Sequence, residues 1–244
     1  MMIARRIIFG LLGGVTIIAL GSCGVFGNSI SYRYRTTVEV ETPEGLKSGS
    51  SVVQVTETER QGLEGSHLDM RVTGEAVAVD LPNGQTLFAL LGGKQVGAIY
   101  KQLPPSDGGW YQRTKQLKSQ TGVFDVPREG PTVWTRRQSH PKMESWWPIL
   151  VHFRDIRDPK SVEQVDPDNA AASLGAGVRI RRITVEITDD DVTSGIEKRL
   201  GWLPDVAKNR STLIPNPPRL LKDATPIQLL GTTAFITGSK GILQ

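Results

Sequence analysis

One cysteine, Cys23, is all that a chain of 244 residues offers for covalent cross-linking. No internal disulfide can form, so a folded domain here must be held by a hydrophobic core. The material for one is present: 38% of residues are hydrophobic and 22% are charged, the balance of an ordinary globular protein. About 220 residues remain beyond the N-terminal segment. A domain of that size buries roughly 70% of the surface its unfolded chain exposes, enough to fold without a metal.

The position of the cysteine is informative. MMIARR at the start is short and basic, residues 7–20 are apolar with Gly and one Thr, and Gly21-Ser22 are small. Those three parts in that order make a secretory signal. The uncharged stretch continues to Tyr32, long enough to be retained as a membrane anchor, but Gly10, Gly13 and Gly14 weaken a spanning helix. Arg5-Arg6 invites a twin-arginine reading, which the flanking Ala4 and Ile7-Ile8-Phe9 match poorly.

Leu20-Gly21-Ser22-Cys23 resembles the lipobox of bacterial lipoproteins. The resemblance implies that Cys23 becomes the N-terminus of the mature chain, carrying a diacylglyceryl thioether and an N-acyl chain. Several acyl chains anchor far more firmly than one. Gly24 stands where an Asp often marks inner-membrane retention in that family, so the resemblance favours the outer membrane in a host that has one. A plain cleaved leader and an uncleaved anchor are the competing readings.

Net charge is +4, but Arg5 and Arg6 belong to the leader, and of 29 basic residues 27 remain against 25 acidic ones. No basic run with interleaved aromatics occurs, so a nucleic-acid partner is not expected.

The expected organisation is a signal peptide over 1–22, a lipidated cysteine with a short tether over 23–29, a strand-rich domain over 30–205, and a Pro-rich extension over 206–244 with a last strand at 227–236. Residues 32–41 and 50–58 read as a hairpin around Thr42-Pro43-Glu44-Gly45, where Pro presets φ and Gly supplies a positive one. Residues 75–81 and 85–91 form a second hairpin around Pro82-Asn83-Gly84. Residues 146–154 read as a central strand. Asp166-Pro167-Asp168-Asn169 announces a short helix at 170–174, closed by Gly175 or Gly177. Residues 178–188 read as the clearest strand; its apolar parity shifts at Arg181-Arg182, which predicts a β-bulge. Short helices are expected at 94–103 and 194–202, and from Pro204 to residue 226 prolines argue against regular structure. The fold class is α+β, mainly antiparallel sheet with two or three short helices.

The stretches 34–55 (with TVEVETPEGLKSGSSVVQV at its heart) and 151–197 (with FRDIRDPKSVEQVDPDN) resemble an uncharacterised group of bacterial, mostly proteobacterial, proteins. The resemblance spans about half the chain and implies no activity and no functional residues.

Each candidate for chemistry meets a plainer explanation. His67, His140 and His152 lack the paired spacing of a zinc site. His152 with Asp155 and Asp158 comes nearest, but a strand residue followed by turn carboxylates accounts for it. Asp189-Asp190-Asp191, with Asp166 and Asp168, could offer oxygens to Ca²⁺, yet neither stretch matches an EF-hand loop. There is no G-x-S-x-G elbow, and Gly92-Gly93-Lys94 falls short of a P-loop. No catalytic residue, metal ligand or cofactor is assigned. The remaining candidate surface is the Trp-rich middle, Trp110, Tyr111, Trp134, Trp146 and Trp147, which could stack on a ligand or partner as readily as fill a core.

These readings converge on a lipid-anchored protein of the cell envelope, facing the periplasm or the outside, that binds or scaffolds another envelope component. A periplasmic hydrolase whose site one sequence does not reveal is the first alternative. A small-ligand binder using the Trp-rich region is the second.

Overall fold

The structure, a computed structural model, describes residues 29–62, 65–91, 132–133, 147–209, 212–214 and 225–238. Two antiparallel sheets lie face to face, and a layer of short helices and turns covers the far side of the second. The described part is mostly sheet with three short α-helices, in agreement with an α+β class weighted towards β.

The first sheet grows from β1 (Ser29–Thr42), β2 (Gly45–Gly62) and β3 (Gly65–Glu75), a meander in which each strand returns beside the last. The turn at Pro43-Glu44 joins β1 to β2 where the sequence places it, and Gly45 adopts a φ of 110°. The second sheet begins after a single intervening residue, Ala76, with β4 (Val77–Asp80) and β5 (Thr86–Ala89), the hairpin expected around Asn83-Gly84. A two-residue strand, β6 (Thr132–Val133), closes one edge of the first sheet; β7 (Leu150–Phe153) and β8 (Val162–Gln164) complete the second. Then come helix α1 (Ala170–Leu174), strand β9 (Arg179–Ile187), helices α2 (Ile196–Arg199) and α3 (Leu203–Lys208), and the two-residue β10 (Ile236–Thr237). The strand orders are β10-β3-β2-β1-β9-β6 and β4-β5-β7-β8.

Alternation decides which face of the first sheet is dry. Along β1, Tyr32, Tyr34, Val38 and Val40 are buried, while Arg33, Arg35, Glu39 and Glu41 take the other side. Opposite them on the second sheet lie Val77, Val79, Leu87, Ala89 and Leu150, and these rows form one core. The bulge on β9 falls where the parity of its sequence shifts: Glu39 pairs with Arg182 and Val40 with Ile180, leaving Arg181 unpaired. The extra residue returns Ile180 to the face shared by Ile183 and Val185.

The second sheet is covered on both sides. All four residues of β7 are buried. Leu150 joins the core between the sheets; Val151 and Phe153 join a second core with Phe88, Ile196, Leu200, Leu203, Leu213 and Phe235. Helix α1 packs Ala170 and Leu174 into the first core, and Gly175 ends it with a φ of 104°.

Two features differ from expectation. The helix expected at 194–202 is confined to the single turn of α2, and a further short helix, α3, forms where the prolines from 204 onward argue against regular structure. Helix α3 begins beside Pro204, because a proline in the first turn gives up an N–H that would have no helical partner anyway. The strand expected at 227–236 is mostly a pair of 3-10 turns, Pro226–Leu229 and Thr232–Ala234, and only Ile236 and Thr237 pair, with Glu75 and Gly74 of β3. Leu213, Leu230, Phe235 and Ile236 all enter the second core, so the described residues of the C-terminal extension pack onto the preceding domain. The helix expected at 94–103 lies outside the described residues.

Candidate functional site

The buried position with the most unusual chemistry is the corner where the chain passes from one sheet to the other. Strand β3 leaves the first sheet at Gly74, whose φ is 148°, and continues almost at once as β4 of the second. A Cβ at Gly74 would lie 2.9 Å from the Val53 side chain, so the strand can depart only through glycine. Glu75 is therefore carried inside, where it is 7% exposed.

Two bonds fix it there. Ser51 Oγ donates to the Glu75 carbonyl oxygen (2.7 Å), and the backbone N–H of Ile196 donates to Glu75 Oε2 (2.8 Å). The second bond ties the corner to the start of α2, 121 residues along the chain. Burial pushes the Glu75 carboxyl above its ordinary value; the Ile196 N–H opposes that shift, and Glu197 adds to it. Burial likewise raises the neighbouring Tyr34 hydroxyl. Tyr34, Thr36, Ser51 and Glu75 line a cavity of about 20 Å³, room for roughly one water molecule. Ser51 spends its hydroxyl on a carbonyl rather than on the carboxylate, so this pair has no nucleophile–base geometry.

The histidine and aspartates singled out in the sequence are brought into view separately. His152 is 2% exposed on β7, opposite Glu163 of β8. Its Nε2 lies 3.3 Å from Glu163 Oε2 without hydrogen-bond alignment, and Nδ1 has no hydrogen-bond partner among the described residues. Asp155 and Asp158 do not face it as ligands. Asp155 accepts from the Arg157 backbone and guanidinium, and Asp158 accepts from the Lys160 N–H at the head of a 3-10 turn. Asp166 similarly accepts from the Asp168 N–H. No group of His, Cys, Asp and Glu able to hold a metal occurs among the described residues.

The acidic run 189–191 has a structural occupation. After β9 the chain passes Arg33 and Arg35 on the outer side of the first sheet. Arg33 Nη1 donates to the Asp189 and Asp190 carbonyls and to Asp191 Oδ1, and Arg35 pairs with both Glu186 and Asp190. Thr193 then takes both backbone groups of Val52, filling the place β3 vacates. Val52 is buried on the outer face of the sheet, where this contact lies.

No family model matches the chain, and no curated protein or solved structure is found to be similar to it.

Of the aromatic surface expected from sequence, only Trp147 is described. It is half-buried and packs against the core between the sheets, just before β7. Trp110, Tyr111, Trp134 and Trp146 lie outside the described residues, as does the lipidation residue Cys23. No helix among the described residues is long and apolar enough to cross a membrane. The Glu75 corner escaped the sequence reading because its partner Ile196 is remote in sequence. Its one local sign was a charged residue between Gly74 and an apolar run.

Proposed function

We propose that this chain is an exported protein held in the cell envelope by a lipid on Cys23, and that it acts there by binding another envelope component. The observation that carries the reading is the placement of the only cysteine directly behind a basic and then apolar leader, at the end of Leu20-Gly21-Ser22-Cys23. The start of β1 supports it. Ser29 follows Cys23 by six residues, a reach of at most about 20 Å, so a lipid there would keep the first sheet close to the bilayer. A binding role rather than a catalytic one is favoured by how the charged groups are spent: Glu75, Asp80, Asp155 and Asp158 each serve a backbone or an arginine that holds the fold.

The test is the mass of the processed N-terminus, with membrane fractionation, for the wild type and Cys23→Ala expressed in a bacterial host. The expected result is a wild-type chain that begins at an acylated Cys23 and sediments with membranes, and a variant that carries no lipid. Cleavage without acylation, or an intact leader, would refute the lipid anchor.

A further inference from the structure

The first sheet leaves one long edge open. Strand β3 pairs with β2 without a register shift from Gly65 to Thr73, and its other side meets only β10, at Gly74 and Glu75. Gly238 then leaves the extended conformation with a φ of 69°, so β10 ends beside Thr73. Among the described residues, nothing pairs with the outer side of β3 from Gly65 to Val72. A long edge with no bulge is a template for another strand.

The backbone groups on that edge follow from its neighbours. The Ala76 N–H donates to the Phe235 carbonyl on the β10 side, and the Ser51 hydroxyl of β2 donates to the Glu75 carbonyl. Glu75 therefore turns its carbonyl to β2, and Gly74 turns its backbone groups to β10. Alternation along the strand then points the N–H and C=O of Leu68, Met70 and Val72 to the open edge. Those of Asp69 and Arg71 point to β2.

The sequence of this stretch is complementary to itself. When two copies pair antiparallel about a two-fold axis at Met70, Leu68 falls opposite Val72 and Asp69 opposite Arg71. The Asp–Arg positions are then non-hydrogen-bonded pairs, where facing side chains come closest. An axis at Asp69 or at Arg71 would instead set like charges against each other. The axis at Met70 also keeps Leu68–Val72 of both copies clear of β10. Arg71 has its charge unspent. It is exposed and has no ion pair among the described residues, whereas Arg33, Arg35, Arg179 and Arg182 of the same sheet each hold an acidic partner.

We propose that the open edge of β3 is a self-recognition surface: two copies of this chain pair antiparallel through Leu68–Val72 and join their first sheets into one. Main-chain hydrogen bonds hold the copies together, and the two Asp69–Arg71 pairs fix the register. The inference goes beyond the envelope-binding role and does not rest on a lipid at Cys23.

The test uses the full chain in density-matched detergent, with sedimentation equilibrium reading its mass across a dilution series. The wild type is expected to pass from dimer to monomer on dilution. Asp69→Arg and Arg71→Asp each set like charges opposite one another, so each should raise the dimer dissociation constant at least about tenfold. An equal mixture of the two variants should return to the wild-type constant, because each copy then faces the opposite charge. Mixing restores no contact within a single copy, so recovery reports the interface alone. Far-ultraviolet circular dichroism checks that the variants fold. Hydrogen exchange gives a readout that needs no variant: the amides of Leu68, Met70 and Val72 should lose protection on dilution, while those of Asp69 and Arg71 keep theirs. A wild type that stays monomeric, a dimer that survives both single variants, a mixture no tighter than its components, or unprotected edge amides in the dimer would overturn the proposal. The lipid experiment reads a mass at Cys23, so either result can fail without the other.

Discussion

The two sheets are made of similar residues but stand in different surroundings. The first has one face against the core and one face in water, and its strands alternate accordingly: Tyr32, Tyr34, Val38 and Val40 inward, Arg33, Arg35, Glu39 and Glu41 outward. The second has cores on both faces, and β7 alternates between two apolar environments rather than between apolar and polar ones. Only the first kind of strand announces its faces in sequence. A strand buried on both sides reads as an unbroken apolar run, which says that it is central without saying what covers it. The polar residue His152 lies in β7 opposite Glu163 of β8, with its Nε2 3.3 Å from that carboxylate.

The comparison can be broken most severely from the second sheet. Phe88 is fully buried and touches both Phe153 and Phe235 edge to face. Phe88→Ala should destabilise by about 3–5 kcal/mol, since it leaves a cavity between sheet and helices. Urea unfolding followed by tryptophan fluorescence would read this, and a loss below 1 kcal/mol would mean the helical layer is not a true core.

Next in size is the contact between the sheets. A Cβ on Gly49 of β2 would collide with the Ala78 carbonyl oxygen of β4, so the two strands approach closely there and leave no room for a side chain. Gly49→Ala should cost about 1–3 kcal/mol, because backbone rather than a flexible side chain must give way. If thermal unfolding shows no change, the sheets are free to slide.

The corner between the sheets makes a pH-dependent contribution. The Glu75 carboxyl titrates above its ordinary value of 4.5 in the folded protein, so the folded state holds that proton more tightly than the unfolded one. Its contribution is fully present below that value and is lost as pH rises through the raised folded value. Glu75→Gln keeps an oxygen for the Ile196 N–H and removes the titration. The wild type should therefore lose stability relative to the variant as pH rises from about 4.5 towards neutrality, and parallel stability curves for the two proteins would contradict the assignment. Asp80 behaves in the opposite sense. Its hydrogen bonds to Arg199 hold its carboxyl below the ordinary value of 3.8, so its contribution exists above that value and fades as pH falls through the lowered one.

The smallest effect is expected on the wet face of the first sheet. Arg35→Ala removes the pairs with Glu186 and Asp190, and exposed or half-buried pairs of this kind contribute about 0.2–1 kcal/mol each at most. Chemical denaturation at low and high salt should show the difference shrinking with salt. A loss comparable to that of Phe88→Ala would erase the distinction between the sheets.

Much of the first sheet was legible residue by residue. Thr42-Pro43-Glu44-Gly45 marks the turn between β1 and β2, and the parity shift at Arg181-Arg182 marks the bulge. Strand β3 is hard to recognise from sequence, although Leu68, Met70 and Val72 alternate along it, because glycines and polar residues around them dilute the signal. Helix α3 was obscured by Pro204, which stops a helix in its interior and starts one in its first turn. Asp155 and Asp158 were legible as turn residues, but the pairing of β5 with β7 was not, because the two strands are some sixty residues apart and no local pattern records where their ladder begins or ends.

By itself the sequence determined the features that depend on near neighbours: two hairpins, a bulge, a short helix ended by a glycine, and the absence of any internal disulfide. These follow from periodicity, turn chemistry and composition, all of which act within a few residues. The tertiary structure alone decided that the chain switches sheets at Gly74, that Glu75 is buried against Ile196, and that the C-terminal turns roof the second sheet. Each of those depends on groups distant in sequence removing one another from water, and such burial exists only once the layers have come together.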